Sequence, residues 1–361
     1  MPEVEPSTLD KLKVLQVLLT FPLVATTSLI AAPFRRYVKE KPLKRVVVDR
    51  FLLWILSQLT PKQLRGMLGS TQDMYNTFIK ERNLASVVEE LGNGSRLLWV
   101  GPKFTERVMI YFHGGGFVVS EPPGATEFWS MVQSNLAENG KPIGLAILNF
   151  TLVPDAPFPT QLKQAIAAIQ HLLDSGVKPE NLQLVGDSAG GALIHGILSH
   201  ILHPLEETTK LELSSPFGGA LLISPWTKMV NEENVLFAND GYGDFLDART
   251  IIRWGSMVVH GVPESIIPYL EGNNTPENWL EGVDKIVKRI MITGGAAETL
   301  RFEIEKYSAI VAKQHKEVTL VIQANGIHDD PFLDRFAGMK ELGSLTPLIL
   351  DWMDKGVAKT A

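Results

Sequence analysis

The sequence predicts an α/β fold, a mostly parallel sheet flanked by helices, with a helical cap. Three observations carry that expectation. From about residue 107 onward, short continuous apolar runs alternate with helical patterns. Such runs are strands buried on both faces, as in a parallel sheet. Glycine-rich and polar motifs directly follow the strands, where ligands sit in such sheets. Finally, the rhythm breaks between 225 and 286, over a stretch too long for an ordinary crossover.

The elements follow in order. Residues 14–32 carry no charge over 19 positions, with Lys11 and Lys13 before and Arg35 and Arg36 after. That length just suffices to cross a bilayer. Gln16, Thr20, Pro22, Thr26 and Thr27 weaken the transfer. Two readings stay open: an apolar helix packed on the body in a cytoplasmic protein, and membrane contact. Ala31-Ala32 would suit signal cleavage, but the acidic residue Asp10 ahead of the run is atypical of a secretory signal. The sequons at Asn93, Asn149 and Asn273 add little to that reading.

Residues 42–80 are helix-like. Segments 85–91 and 95–100 read as strands of a hairpin turned by Asn93-Gly94, both tolerant of positive φ. Strands are expected at 107–112, 143–149, 182–186, 219–224, 288–293 and 317–322, and helices at 161–173, 189–203, 299–313 and 344–353. Residues 1–84 are taken as apolar helices and cap, and 85–361 as the catalytic body with a cap insertion at about 225–286. The segment 225–286 together with residues 1 to about 80 is expected to form a lid over the sheet edge. Trp226, Phe237, Tyr242, Phe245, Trp254 and Tyr269 are its aromatic residues, available to line a pocket or to pack lid against body.

Composition sets bounds. Hydrophobic residues make up 45% of the 361 and charged residues 20%, enough to bury a large core. The net charge, 34 − 40 = −6, argues against a nucleic-acid partner. There is no cysteine, which excludes disulfides, thiolate metal sites and a cysteine nucleophile.

Gly186-Asp-Ser188-Ala-Gly190 matches G-x-S-x-G, the pattern of a serine on a tight strand-to-helix turn. With 19 serines and 30 glycines in 361 residues, chance gives roughly 0.13 such matches. His113-Gly-Gly-Gly116 is more specific, at roughly 0.005 chance matches. Its glycines leave backbone N–H groups free to converge on an anion. Gly115 and Gly116, with the N–H of Ala189, are assigned as an oxyanion hole. A serine hydroxyl needs a base, and His328 follows the last predicted strand through a loop-like stretch. His195, His200 and His203 have no metal-motif spacing, and His113 reads as structural. The third member is a carboxylate that orients the imidazole. Glu298 is the first after the strand at 288–293, 30 residues before His328, ahead of Glu303 and Glu305 inside the helix.

Over roughly 85–355 the sequence resembles the α/β-hydrolases of the hormone-sensitive-lipase type. The likeness rests on His113-Gly-Gly-Gly-Phe117, Gly186-Asp-Ser-Ala-Gly-Gly191, the stretch from Asn149 to Pro159, Ser224-Pro-Trp226, Glu298-Thr-Leu-Arg301 and His328. It implies the α/β-hydrolase fold, esterase chemistry and an N-terminal helical cap. The chain order Ser188, Glu298, His328 is that of the family. The apolar N-terminal region and the run from Leu59 to Arg65 resemble fungal members, including steryl-acetyl-hydrolase-like enzymes and hydrolases of secondary-metabolite clusters. The departures are Glu298 where aspartate is common, Phe302 where a second acid is common, and Asp329 and Asp330 after the histidine. Those two carboxylates either stabilise the imidazolium or form a solvated pair.

The expected function is hydrolysis of a hydrophobic ester by an acyl-enzyme route through Ser188, His328 and Glu298, with a small apolar substrate and no metal or organic cofactor. Two alternatives use the same frame. One is condensation or cyclisation in biosynthesis by the same residues. The other is a ligand-binding member without catalysis, against which the presence of His328 argues.

Overall fold

The computed structural model describes residues 7–35, 38, 39, 41–206, 208–231 and 243–357. Phe237 and Tyr242, expected among the cap aromatics, and Arg36, flanking the first apolar run, lie outside the described residues.

Four helices come first: α1 (Thr8–Ala31), α2 (Leu43–Gln58), α3 (Pro61–Leu68) and α4 (Thr71–Glu81). Capping residues set three of their starts. Ser7 with Asp10, Thr60 with Gln63 and Ser70 with Asp73 each form a reciprocal capping box. Then follow β1 (Val87–Glu90), β2 (Arg96–Val100), β3 (Val108–Phe112), α5 (Ala125–Glu138), β4 (Gly144–Asn149), α6 (Thr160–Asp174), β5 (Leu182–Asp187) and α7 (Ala189–Leu202). The remainder is β6 (Gly219–Ile223), α8 (Ala248–Val259), α9 (Ile267–Leu270), β7 (Ile290–Gly295), α10 (Arg301–Gln314), β8 (Val318–Gln323), α11 (Asp330–Phe336) and α12 (Leu345–Gly356).

The eight strands form one sheet in the order β1-β2-β4-β3-β5-β6-β7-β8. From β4 to β8 all pairs are parallel; β2 runs antiparallel to both β1 and β4. Side chains alternate across the sheet as the pleat requires. Val108, Ile110 and Phe112 face a core shared with α6, α7 and α10, whereas Met109 and Tyr111 face one shared with α4, α5 and α12. Apolar residues on both faces are why β3, β4, β5 and β6 read as continuous hydrophobic runs.

The structure departs from expectation in several places. β8 is an edge strand, so Thr319 and Leu320 are exposed rather than buried on both faces. In the β1–β2 turn the positive φ angles fall on Gly92 and Gly94, and Asn93 instead accepts from Ser95 N–H at 3.1 Å. Helices α5 and α11 were not expected. α4 belongs to the body: its Tyr75 hydroxyl donates to Trp99 O at 2.9 Å beneath the sheet. Nor does the whole of 225–286 act as cap. From α9 onward it packs on α7, where Pro268 O meets His195 Nε2 at 2.9 Å and the Tyr269 hydroxyl donates to His203 O at 2.8 Å. The cap itself covers the carboxyl ends of the strands, not the sheet edge, because Leu52, Ile55 and Leu56 of α2 and Ile251 and Trp254 of α8 line a cavity with Ser188.

A buried ionic cluster ties that cap to the body. Arg45 of α2 donates to Asp330 at 2.7 Å, to Asp49 at 3.2 Å, and to Asp334. Asp49 also accepts from Lys41 at 2.7 Å. Asp330 and Asp334 sit on α11, immediately after His328. A second tie is Arg65 of α3, which donates to Val118 O at 2.7 Å and Val153 O at 2.5 Å. Removing one member of a buried cluster leaves the others uncompensated. Arg45→Ala should therefore cost about 3–5 kcal/mol of stability, read as a lower midpoint in thermal or denaturant unfolding; an unchanged midpoint would show that the cluster holds nothing.

Candidate active site

Ser188 occupies the turn between β5 and α7 with φ 48° and ψ −116°, a sparsely populated conformation. Its backbone is pinned on both sides: Ser188 N–H donates to Ile223 O at 2.9 Å, and Trp226 N–H donates to Ser188 O at 2.9 Å. The turn is tight enough to exclude a side chain at Gly190, where a Cβ would lie 1.8 Å from Phe112 O. Strand β5 thus ends under the cap with the Ser188 side chain on the cavity wall.

The loop after β3 lies beside it. Asp187 Oδ1 holds the loop by accepting from Gly114 N–H at 3.0 Å and the Tyr111 hydroxyl at 2.6 Å. His113 is buried, stacked on Phe150 at 4.3 Å, with Nε2 3.2 Å from Thr71 Oγ1. Burial pushes its imidazole down to about 4, so it is neutral near pH 7. Gly115 and Gly116 both adopt positive φ, and no acceptor among the described residues takes their N–H groups or that of Ala189. At Gly116 a Cβ would lie 2.6 Å from the Trp254 ring. The bare glycine lets the cap aromatics close over the loop.

His328 follows β8, and its Nδ1 lies 2.7 Å from Glu298 Oε1. The other oxygen of Glu298 accepts from Gly295 N–H at 2.7 Å and from the Ser224 hydroxyl at 2.9 Å, which fixes the carboxylate. Glu303 and Glu305 lie elsewhere: Glu303 accepts from Asn231, and Glu305 pairs with Arg301 at 2.9 Å. Ser188, Gly115, Gly116, Trp226, Phe245, Trp254 and His328 line one cavity, whose empty space together with its solvent-open mouth is about 740 Å³. Tyr269 stays outside it, packed on Trp279. The lining is almost wholly apolar apart from Ser188, His328, Asp329, Ser120 and Glu121. Burial lifts the Glu121 carboxyl to about 8, so the cavity wall carries an uncharged acid at neutral pH.

Two further carboxyl residues, Asp244 and Asp329, stand against His328. Asp244 accepts from the backbone N–H of His328 at 3.3 Å and of Thr299 at 2.8 Å, bracing the loops that carry His328 and Glu298. Nothing in the sequence pattern marks it. Asp329, next to the histidine, is 1% exposed and not part of a solvated pair. Its Oδ2 lies 3.3 Å from His328 Nε2, and its N–H donates to Ser224 Oγ at 3.2 Å. Asp330 points away, to Arg45 and Gln323. Phe117, Ser188, Ser224 and Asp329 are four of the seven non-glycine residues with positive φ among the described residues, a concentration of strain typical of functional sites.

The charges follow from this packing. Burial alone would push the His328 imidazole down. The charge of Asp329 and the hydrogen bond and charge of Glu298 outweigh it, with Asp244 adding, and hold it above its ordinary value. Burial raises Asp187 and Asp244 to about 6 and Asp329 well above the carboxylate range. Asp187 Oδ2 and Asp329 Oδ1 are buried without a donor from another residue, and the two carboxyls interact. Among the described residues no group of three or more His, Asp or Glu side chains is placed to hold a metal ion.

Residues 109–331 match the family model described as the alpha/beta hydrolase fold, and the chain belongs to that family. Its kinship within it is with the hormone-sensitive-lipase type. It is 29% identical over 138 residues to an acetyl-hydrolase of Streptomyces hygroscopicus, covering 37% of this chain and 41% of that protein. It is 34% identical over 117 residues to hormone-sensitive lipase of Homo sapiens, covering 30% of this chain and 10% of that protein. The aligned part thus spans less than half the length of either relative. Among solved structures it superposes on an esterase from the bacterial hormone-sensitive lipase family with a TM-score of 0.65 at 19% identity, over 88% of this chain and 99% of that one. A carboxyl esterase of the mycorrhizal fungus Tuber melanosporum gives a TM-score of 0.59 at 21% identity, over 76% and 85%.

The electrostatics of His328 can be read without any turnover. Asp329→Asn replaces the carboxyl that faces Nε2 by an amide, which cannot carry charge, so the imidazole should lose its proton at lower pH, by about one pH unit. An NMR titration of the His328 ring reads this; an unmoved titration would show that Asp329 does not act on the imidazole.

Proposed function

We propose that the chain is a serine hydrolase of carboxylic esters, with Ser188 as nucleophile, His328 as general base and acid, and Glu298 as the carboxylate that orients the imidazole. The observation that carries this is the 2.7 Å bond between Glu298 and His328 Nδ1, on a cavity shared with a strained serine and unpaired backbone N–H groups. Nδ1 bonded to a carboxylate directs Nε2 toward the cavity as the proton acceptor.

The steps follow from the positions. Ser188 Oγ bonds to the acyl carbon as its proton passes to His328 Nε2, and the carbonyl π pair moves onto oxygen. The N–H groups of Gly115, Gly116 and Ala189 receive that charge, each such donor being worth about 10²–10³ in rate. Collapse expels the alcohol, which takes the proton from His328. Water then attacks the acyl-enzyme, gives its proton to His328 and frees the acid as Ser188 recovers its own. In the resting site Asp329 competes for Nε2, so the ring must favour the serine when an ester enters.

The apolar lining supports a hydrophobic ester. The names of the relatives, an acetyl-hydrolase and lipases, support acyl-ester chemistry. The resemblance to hydrolases of fungal secondary-metabolite clusters supports a natural-product ester.

Ser188→Ala should lower turnover of p-nitrophenyl butyrate by at least about 10³-fold with an unchanged melting temperature. Glu298→Gln should cost about 10³–10⁴-fold in kcat, because a neutral amide no longer stabilises the imidazolium, whereas Glu305→Gln should leave turnover intact. Retained activity in Ser188→Ala would remove this serine from the chemistry.

A further inference from the structure

Helix α1 is apolar on two sides, and only one of them is covered. The covered side lies along α2. Val17 is buried there, the Trp54 indole N–H donates to Val17 O at 3.0 Å, and Phe21 meets Phe51 edge-on at 5.0 Å. Asp10 ties the first turn to α3 through Gln63 at 3.1 Å and Lys62 at 3.2 Å. The opposite side carries Leu12, Leu15, Leu19, Leu23 and Ile30, and Phe34 just beyond the helix, at helical spacing and all exposed, with Leu19 and Leu23 each 71% so. Soluble proteins rarely leave so long an apolar stripe in water.

The rest of the helix suits an apolar surrounding. No charge falls between Val14 and Ala32. The hydroxyls of Thr20, Thr26 and Thr27 turn back to helix carbonyls at 3.0, 2.8 and 3.0 Å, so none of them needs water. Lys11 and Lys13 at one end and Arg35 at the other form a cationic rim, which complements the negative surface of a lipid leaflet. The mean hydropathy of 1.9 and the length of the segment also meet the requirement for a span. Packing decides between lying and spanning. A span would draw the flanking α2, with its buried cluster of Arg45, Asp49, Asp330 and Asp334, toward the hydrocarbon.

We propose that α1 is a monotopic membrane dock, lying in the plane of an anionic phospholipid surface with its exposed leucine stripe in the acyl boundary. α2 then becomes the wall between lipid and cavity. Its Phe51 and Trp54 carry α1, while Leu52, Ile55 and Leu56 line the space above Ser188. A hydrophobic ester dissolved in the leaflet arrives one helix away from the nucleophile. That supply route rests on the proposed ester hydrolysis; the docking does not.

The test uses the full chain and vesicles of phosphatidylcholine with phosphatidylserine. Wild type should float with the vesicles, and the Leu19→Glu/Leu23→Glu double variant should float at least tenfold less while keeping its turnover of water-soluble p-nitrophenyl acetate. Because the chain has no cysteine, Lys13→Cys and Arg35→Cys each give a single labelling site. Both should react with a membrane-impermeant maleimide on vesicle-bound protein. Wild type that fails to float overturns the proposal. So does protection of one end, which means a span. A lipid-free dimer in sedimentation, lost in the double variant and without flotation, also overturns it and makes a second copy the occupant. Flotation without ester turnover would leave the dock standing and remove the hydrolase reading.

Discussion

One buried imidazole has to sit among a surplus of buried carboxyl groups. Glu298, Asp329 and Asp244 surround His328, and Asp187 adjoins Asp329; all are nine-tenths or more buried. Unpaired charges there would cost several kcal/mol each, so the surrounding chain is committed to satisfying them. Backbone N–H groups of Gly114, Gly295, Thr299 and His328 all donate to these carboxylates, as do the hydroxyls of Tyr111 and Ser224. The sheet, the glycine loop, the elbow and the cap segment at Asp244 are therefore locked to one another through a single charge cluster.

The parallel sheet makes that convergence feasible. β3, β5, β6, β7 and β8 all deliver their carboxyl ends to the same side, and each is followed there by one part of the cluster. The sharp exits needed at those ends are taken up by left-handed backbone at Phe117, Ser188, Ser224 and Asp329. Beyond the cluster, Arg45 applies the same logic to the cap, pairing α2 with the helix that begins just after His328. Cap position and imidazole position are thus linked through the short step of chain from His328 to Asp330.

Much of this frame was legible in the sequence because it is local. The core strands show as apolar runs, since both faces are buried; the elbow and glycine loop show because only glycine fits where a Cβ would strike Phe112 O or Trp254. Glu298 and His328 were accessible through their position after strands. What escaped depends on tertiary packing. α5 starts after Gly124 without a side-chain cap and buries Thr126 among its aromatics, so its apolar face is interrupted. Asp330 and Asp334 look like surface charges until Arg45 arrives from 285 and 289 residues away. That Asp329 and not Asp330 faces the imidazole depends on a left-handed backbone turn that a non-glycine residue does not advertise.

Phosphonylation reads the proposed activation of Ser188 by His328 directly, because it needs no knowledge of the natural ester. Mass spectrometry after treatment with a fluorophosphonate should find one adduct, on Ser188, and the His328→Ala variant should form it at least about 10³-fold more slowly. An adduct on a different residue, or equal labelling rates in the two proteins, would contradict it.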